Sequence, residues 1–238
     1  MWTKRIPEKG RKMKLSWRSE ILPLTCIMAM FILAIIAWPH APDSIPIHWG
    51  ISGEPDNYAG KFFGLLGAPL IALGVYTLFI VLPRLDPKRD NYPRFWTRYL
   101  LIRTVIIMVL TGITVITFLW VMGIDVNMTV AVFMIVGFLL IIIGNYMGKL
   151  RPTWFIGIRS PWTLSSDESW NKTHRLGGWL FVIIGLGMVI SAPFQEKIVF
   201  YVLGGLGVAF ILFLYVYSYL VWKRDPDARS GATRINRE

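Results

Sequence analysis

Six long apolar runs recur along this chain, and each is close to the ~20 residues that a helix needs to cross the hydrocarbon core of a bilayer. At that depth every backbone polar group must be bonded within the protein, so the runs predict six transmembrane helices. The predicted spans are Ile21–Trp38, Phe62–Leu82, Leu100–Met122, Met128–Tyr146, Leu176–Ala192 and Ile198–Trp222. The predicted fold class is therefore an all-α membrane protein, a polytopic bundle of six transmembrane helices.

Basic residues mark one side of this bundle. Of the 25 lysines and arginines, 23 fall in the N-terminal tail, in the second and fourth loops with their helix edges, or in the C-terminal tail. Short loops rich in Lys and Arg stay in the cytoplasm, so we expect both termini to be cytoplasmic. The isoelectric point near 10.0 then reflects topology and attraction to the anionic headgroups of the lipid bilayer. We expect no direct nucleic-acid partner.

This topology divides the chain into four segments. We predict a basic cytoplasmic N-tail at 1–20, a three-helix half at 21–122 with a long extracytoplasmic loop at 39–61, a second three-helix half at 123–222 with a long cytoplasmic loop at 147–175, and a cytoplasmic C-tail at 223–238. The fifth span is the shortest and opens with two glycines, so it can begin within the helix of the loop before it.

The predicted spans carry no Asp, Glu, Lys, Arg or His in their middle, which disfavours an ion-coupled transporter. Arg103 lies about a turn inside the third span, and we expect its side chain to reach back to the interface. Small residues favour close contact between helices, with a homodimer seam as the alternative. The glycines concerned are Gly64, Gly67, Gly144, Gly148, Gly204 and Gly205.

The fourth loop holds the densest group of polar and aromatic residues. We expect its second half to be a short amphipathic helix in the interface, with a capping box at Ser165 to Glu168 and an end at Gly177. Glu168 and Lys172 are four residues apart and can pair. The candidate ligand- or partner-binding residues are Arg159, Trp162, Trp170, Asn171, His174 and Arg175. The alternative to an interfacial helix is a polar pocket for an anionic group or an acidic partner, built from Arg159, Asn171, His174 and Arg175.

The first loop supplies a second set of candidate ligand-binding residues: His48, Trp49, Glu54 and Asp56. Its many Pro and Gly residues oppose regular helix and favour tight turns. Three interpretations stay open: a turn in which His48 and Asp56 bond to backbone groups, a cleft for a peptide or headgroup, and a metal site on these two side chains. The spacing matches no established metal-ligand pattern, which disfavours the metal. We expect no cofactor.

Two stretches carry a resemblance. The segment from Asn145 to Gly178, with Gly157-Ile-Arg-Ser-Pro-Trp162 and Trp170-Asn-Lys-Thr-His174 at its centre, resembles the signature of the SdpI family of bacterial membrane immunity proteins. The first loop, Pro46-Ile-His-Trp-Gly-Ile-Ser-Gly-Glu-Pro-Asp56, resembles the uncharacterised domain that often precedes that signature.

The resemblance implies a multi-pass protein of the bacterial plasma membrane that confers resistance to a secreted antimicrobial peptide toxin. It also implies a signalling role, in which the first loop senses the hydrophobic peptide outside and the fourth loop holds a soluble transcriptional repressor at the membrane. Two other classes stay open: a membrane enzyme acting on a lipid or isoprenoid headgroup, and a non-ion-coupled transporter. The fourth loop carries no paired carboxylates, nucleophile elbow or metal cluster, so the residues lean against the enzyme.

Overall fold

The computed structural model describes residues 13–50, 54–194 and 197–228. It contains six helices that are long and apolar enough to cross a membrane, so the six predicted spans are confirmed. The long helices are α1 (Trp17–Ala37), α2 (Lys61–Leu85), α3 (Trp96–Val121), α4 (Met128–Met147), α6 (Asp167–Ser191) and α7 (Lys197–Arg224), and a short helix α5 (Pro161–Ser165) precedes α6. A 3-10 helix at Arg89–Arg94 connects α2 to α3.

The first loop forms a β-hairpin, which the sequence did not predict. Strand β1 (Ser44–Trp49) pairs antiparallel with β2 (Pro55–Gly60). Ile45 on β1 is fully buried among Ala34, Ala37 and Leu65 at the ends of α1 and α2. Gly64 makes this contact possible, because a Cβ there would lie 2.6 Å from the Cβ of Ile45. The hairpin is therefore docked on the helix ends as an addition to an all-α fold.

The helices pack in two groups of three. Helix α3 packs against α1 and α2, α6 packs against α4 and α7, and the groups meet where α3 contacts α4. The division into two halves as domains stays a prediction. We call the end of the bundle where α1, α3 and α6 begin and α2, α4 and α7 end the basic end, and the opposite end the hairpin end.

Glycines bring α4 and α6 into close contact. A Cβ on Gly178 would lie 2.5 Å from the carbonyl oxygen of Gly144, and one on Gly185 would lie 2.6 Å from that of Gly137. The prediction of close helix contact is thus confirmed at Gly144. Among the described residues it is wrong at three other glycines, because a Cβ there would meet no neighbouring segment within 4 Å: Gly67, Gly204 and Gly205.

Helix α6 differs from the predicted interfacial helix. It runs without a break from Asp167 to Ser191 and passes straight through Gly177. Its N-cap is Ser166, whose side chain accepts from the Ser169 N–H, so the predicted capping box from Ser165 is wrong by one residue. In an apolar surrounding no water would receive the backbone groups that a helix end exposes, and the helix therefore continues. The predicted Glu168–Lys172 pair forms, at 2.6 Å.

Arg103 is held inside the bundle. Its side chain is fully buried and bonds to residues near the start of α1, at the basic end, while its expected reach to the membrane interface stays a prediction. Nη2 donates to Glu20 Oε1 at 3.0 Å and to the Ser19 carbonyl oxygen at 3.1 Å. Tyr76 donates to the other oxygen of Glu20 at 2.7 Å, and its ring lies 4.9 Å from the guanidinium carbon. An opposite charge within reach removes the need to extend the side chain into water.

Candidate functional site

The fourth loop is folded around a buried ring pair, Trp170 and His174. The two side chains lie one turn apart on α6 and stack with centroids 3.9 Å apart and planes 19° apart. Both are inaccessible to solvent. Trp170 Nε1 donates to the Leu150 carbonyl oxygen at 3.1 Å, which fixes the start of the loop to α6.

Both ring nitrogens of His174 bond to backbone groups. Nε2 accepts from the Ile158 N–H at 2.9 Å, and Nδ1 lies 2.8 Å from the carbonyl oxygen of Trp170. Because a carbonyl can only accept and an N–H can only donate, the imidazole is neutral and carries its proton on Nδ1. His174 therefore acts as a clamp that holds the loop backbone on α6.

Gly157 allows this clamp to close. Its φ of +114° is a conformation that residues with a Cβ rarely adopt. A Cβ there would also collide with His174 Nε2 and lie 3.0 Å from Trp170 Cη2. The loop backbone thus lies directly on the ring pair, and only glycine fits.

A second buried group, Asp86, joins the fourth loop to the second. Its carboxylate accepts from the Tyr92 hydroxyl at 2.8 Å, the Trp154 N–H at 3.0 Å and the Lys88 N–H at 2.7 Å. Burial, and then the hydrogen bond to Asp86, raise the pKa of the Tyr92 phenol well above its ordinary value. Two further bonds tie the same loops, from Asn91 Nδ2 to the Pro152 carbonyl oxygen and from Lys88 Nζ to that of Leu164, both at 2.8 Å.

Serines attach the other side of the loop to α7. Ser160 and Ser218 share a buried hydrogen bond of 2.8 Å, and Ser169 donates to the Ser218 carbonyl oxygen at 2.8 Å. Ser166 donates to the buried carboxylate of Asp225 at 2.5 Å. The fourth loop is therefore held by contacts to the second loop, to α6 and to α7. We call this folded unit on the basic end the cap.

The predicted residues of the fourth loop divide into buried and exposed sets. Trp170 and His174 lie inside the cap, and half-buried Trp162 packs against the rings of Tyr215 and Tyr219. Three are exposed: Arg159, Asn171 and Arg175. The structure thus separates His174 from the other members of the predicted polar pocket. As a ligand- or partner-binding set, these residues stay a prediction.

The hairpin brings two of its predicted residues together. His48 Nδ1 lies 2.5 Å from Asp56 Oδ1, and the two side chains are 67% and 51% exposed. They pair with each other, and in the part of the chain that the structure describes neither side chain has a hydrogen bond to a backbone group. Glu54 is exposed and its carbonyl oxygen accepts from the Gly50 N–H, while Trp49 is half-buried. Across residues 13–50, 54–194 and 197–228, no three His, Cys, Asp or Glu side chains cluster as a metal site would require.

Sequence reasoning missed Asp86, Ser218 and Asp225. Each lies beside a run of charges or inside an apolar span, where a solvated or helix-packing role is the ordinary expectation. One signal was present: Asp86 follows the end of α2 and precedes Pro87, a position typical of a carboxylate that accepts from nearby backbone N–H groups.

The six helices define a multi-pass membrane protein, and comparison with known proteins makes this more specific. Residues 149–218 match the model of the SdpI/YfhL protein family, and residues 25–73 match that of a domain of unknown function, DUF1648. The chain is 23% identical over 212 residues to immunity protein SdpI of Bacillus subtilis (strain 168), covering 89% of this chain and 100% of that protein. No solved structure matches. Both resemblances are confirmed, and the chain is a bacterial plasma-membrane protein with an SdpI-type region.

Proposed function

We propose that this chain is an immunity protein that protects a bacterium from a secreted antimicrobial peptide. The observation that carries the proposal is the match to an immunity protein along that protein's entire length. The matched length includes the sequences of both the hairpin and the cap, the two elements that distinguish this bundle from a plain set of spans. Fold alone would not imply this function.

The charge distribution supports one orientation of the chain in the membrane. With 23 of 25 basic residues at the basic end or in the tails attached to it, that end faces the cytoplasm and the hairpin faces outward. The hairpin then meets a secreted peptide first. Its exposed side chains suit a hydrophobic, cationic peptide, since Ile47 and Tyr58 are about half exposed beside the carboxylate of Asp56.

The cap at the basic end supports a second, finer proposal. Its exposed Arg159, Asn171 and Arg175 present donors to the cytoplasm, where they would recruit an acidic surface of a soluble repressor. Arg159 is already oriented by its bond to the Trp154 carbonyl oxygen at 2.8 Å. Signalling would need the hairpin and the cap to bias the same two states of the bundle.

The hydrogen bonds of His174 weaken the alternative that the chain is a membrane enzyme. It relied on His174, with Asn171 and Arg175, to bind a headgroup phosphate, and both ring nitrogens of His174 bond to the backbone of this chain. A substrate would have to displace the Ile158 N–H or the Trp170 carbonyl and so dismantle the cap.

A survival assay tests the immunity proposal and its assignment to the hairpin. A bacterium sensitive to a secreted antimicrobial peptide would express the chain, the variant Asp56→Ala or the control Asp43→Ala, and its survival would be measured after challenge with that peptide. The control removes the same charge from an exposed position just before β1. We expect protection by the chain and by the control, and reduced protection by Asp56→Ala at equal membrane levels. If the unaltered chain gives no protection, the immunity proposal is wrong. If Asp56→Ala protects fully, only the hairpin assignment is wrong.

A further inference from the structure

An open cleft separates α6 and α7 at the basic end. It encloses about 510 Å³ of non-protein space, part of which is open to the surroundings. Lys172 lines one wall, and Tyr217, Leu220, Val221 and Arg224 line the other. The α7 residues are spaced by three and four, so all four lie on the one helix face that meets α6.

The two ends of this cleft differ in chemistry. Arg224 is the last residue of α7, and Tyr217 lies seven residues, or ~10 Å, further toward the hairpin end. Arg224 therefore lies at the basic end of the cleft, which we call its mouth, and the aliphatic side chains and the phenol of Tyr217 lie below it, with Lys172 facing them from α6. Lys172 bonds to Glu168 at 2.6 Å, but an ammonium has three donors, so two remain for another acceptor.

The surroundings place the mouth at the membrane interface. Trp222, two residues before Arg224, stacks on Tyr219, and aromatic side chains of this kind are typical of the headgroup level. Lys223 adds another cation beside Arg224. Basic pockets between transmembrane helices at this depth bind phosphate-bearing headgroups.

We propose that the cleft between α6 and α7 binds an anionic phospholipid, with its phosphate between Lys172 and Arg224 and an acyl chain along Leu220. This inference does not depend on the immunity proposal.

Spin-labelled lipids in bilayers test it. The full chain would be reconstituted in phosphatidylcholine, and the relative association of labelled phosphatidylglycerol and labelled phosphatidylcholine would be measured by electron paramagnetic resonance. The test variant is Lys172→Gln/Arg224→Gln. The control is Arg89→Gln/Arg94→Gln, which removes two exposed cations from the same end but away from the cleft. Leu220→Trp is a second test variant, because it fills the cleft and keeps both cations.

We expect the chain to prefer phosphatidylglycerol, and we expect this preference to fall by a factor of about 30 in the Lys172/Arg224 variant, as removal of two interfacial cations should cause. Leu220→Trp should lose a similar share, and the control should keep most of it. Equal losses in the test and control variants would overturn the proposal, because the preference would then be general electrostatics. Displacement of the label by inorganic phosphate alone would also overturn it, because the ligand would then be a free phosphate.

Discussion

Glu20 and Arg103 form an ion pair between α1 and α3 whose guanidinium is completely buried. Only Nη2 of Arg103 has acceptors among the described residues; Nε and Nη1 have no hydrogen-bond partner there. The carboxylate is better satisfied, with donors from Arg103, Tyr76 and Ser19. The pair thus fixes the register of α1 against α3 while leaving the arginine dependent on a single counter-ion, Glu20.

Breaking this pair from one side should be more damaging than removing it. Glu20→Leu leaves a buried cation without its counter-ion, and we expect a loss of about 3–5 kcal/mol in the free energy of unfolding. The double variant Glu20→Leu/Arg103→Met should recover much of that loss. Unfolding by sodium dodecyl sulfate in mixed micelles measures both. A double variant that is as unstable as the sum of the two single variants would show that the two residues do not interact.

Replacing Gly157 should open the cap. Gly157→Ala combines an unfavourable φ with a collision against His174, so we expect a loss of about 2–4 kcal/mol in stability. Gly123→Ala is the control, since Gly123 has a φ of +74° but open space around its missing Cβ. It should show the backbone strain without the collision. Equal effects of the two substitutions would mean that the ring pair does not restrict the loop.

The Asp86 carboxylate should control how tightly the second and fourth loops are joined. Asp86→Asn replaces one acceptor oxygen by a donor that faces other donors, which we expect to cost about 1–3 kcal/mol. Hydrogen exchange should become faster at the amide of Trp154, which donates to Asp86. Asp90→Asn, at an exposed position in the same loop, should leave that exchange unchanged. If the Trp154 amide exchanges equally slowly in Asp86→Asn, Asp86 does not hold the second and fourth loops together.

The glycines of the membrane helices should fall into two classes. Gly178→Ala places a methyl group 2.5 Å from the Gly144 carbonyl oxygen and should force α4 and α6 apart, with a loss of about 1–3 kcal/mol. Gly204→Ala meets no neighbouring segment among the described residues and should be neutral or stabilising by up to ~1 kcal/mol, because alanine favours helix. Thermal unfolding in detergent distinguishes them. A destabilising Gly204→Ala would instead point to a second copy of the chain packed on that face.

Hydropathy was sufficient to predict the spans, because a membrane helix satisfies its backbone internally and needs only length and apolar side chains. Periodicity also paired Trp170 with His174, four residues apart. It could not say whether their shared face pointed into the protein or into the interface. That depended on Gly157, more than ten residues away, lying against the rings.

The errors have a common origin in contacts between distant segments. Glu20 and Arg103 look like two separate interfacial charges in the sequence, since nothing local reveals that α1 and α3 lie side by side. The hairpin was hidden because Pro46 and Pro55 disfavour strands in general, yet both are tolerated in a two-stranded sheet with free edges. Gly177 ends helices in water but not where a neighbouring helix covers it.

Complementation is the measurement that tests the immunity proposal most directly. Bacillus subtilis lacking its own immunity protein SdpI would express this chain, and the concentration of the secreted toxin that halves growth would be compared with that for an empty vector. Membrane levels of the chain would be checked by immunoblot. We predict that the chain raises the half-inhibitory concentration, and that Gly157→Ala, which disrupts the cap, raises it less. A chain that reaches the membrane in normal amount and leaves the toxin sensitivity unchanged would contradict the proposed immunity.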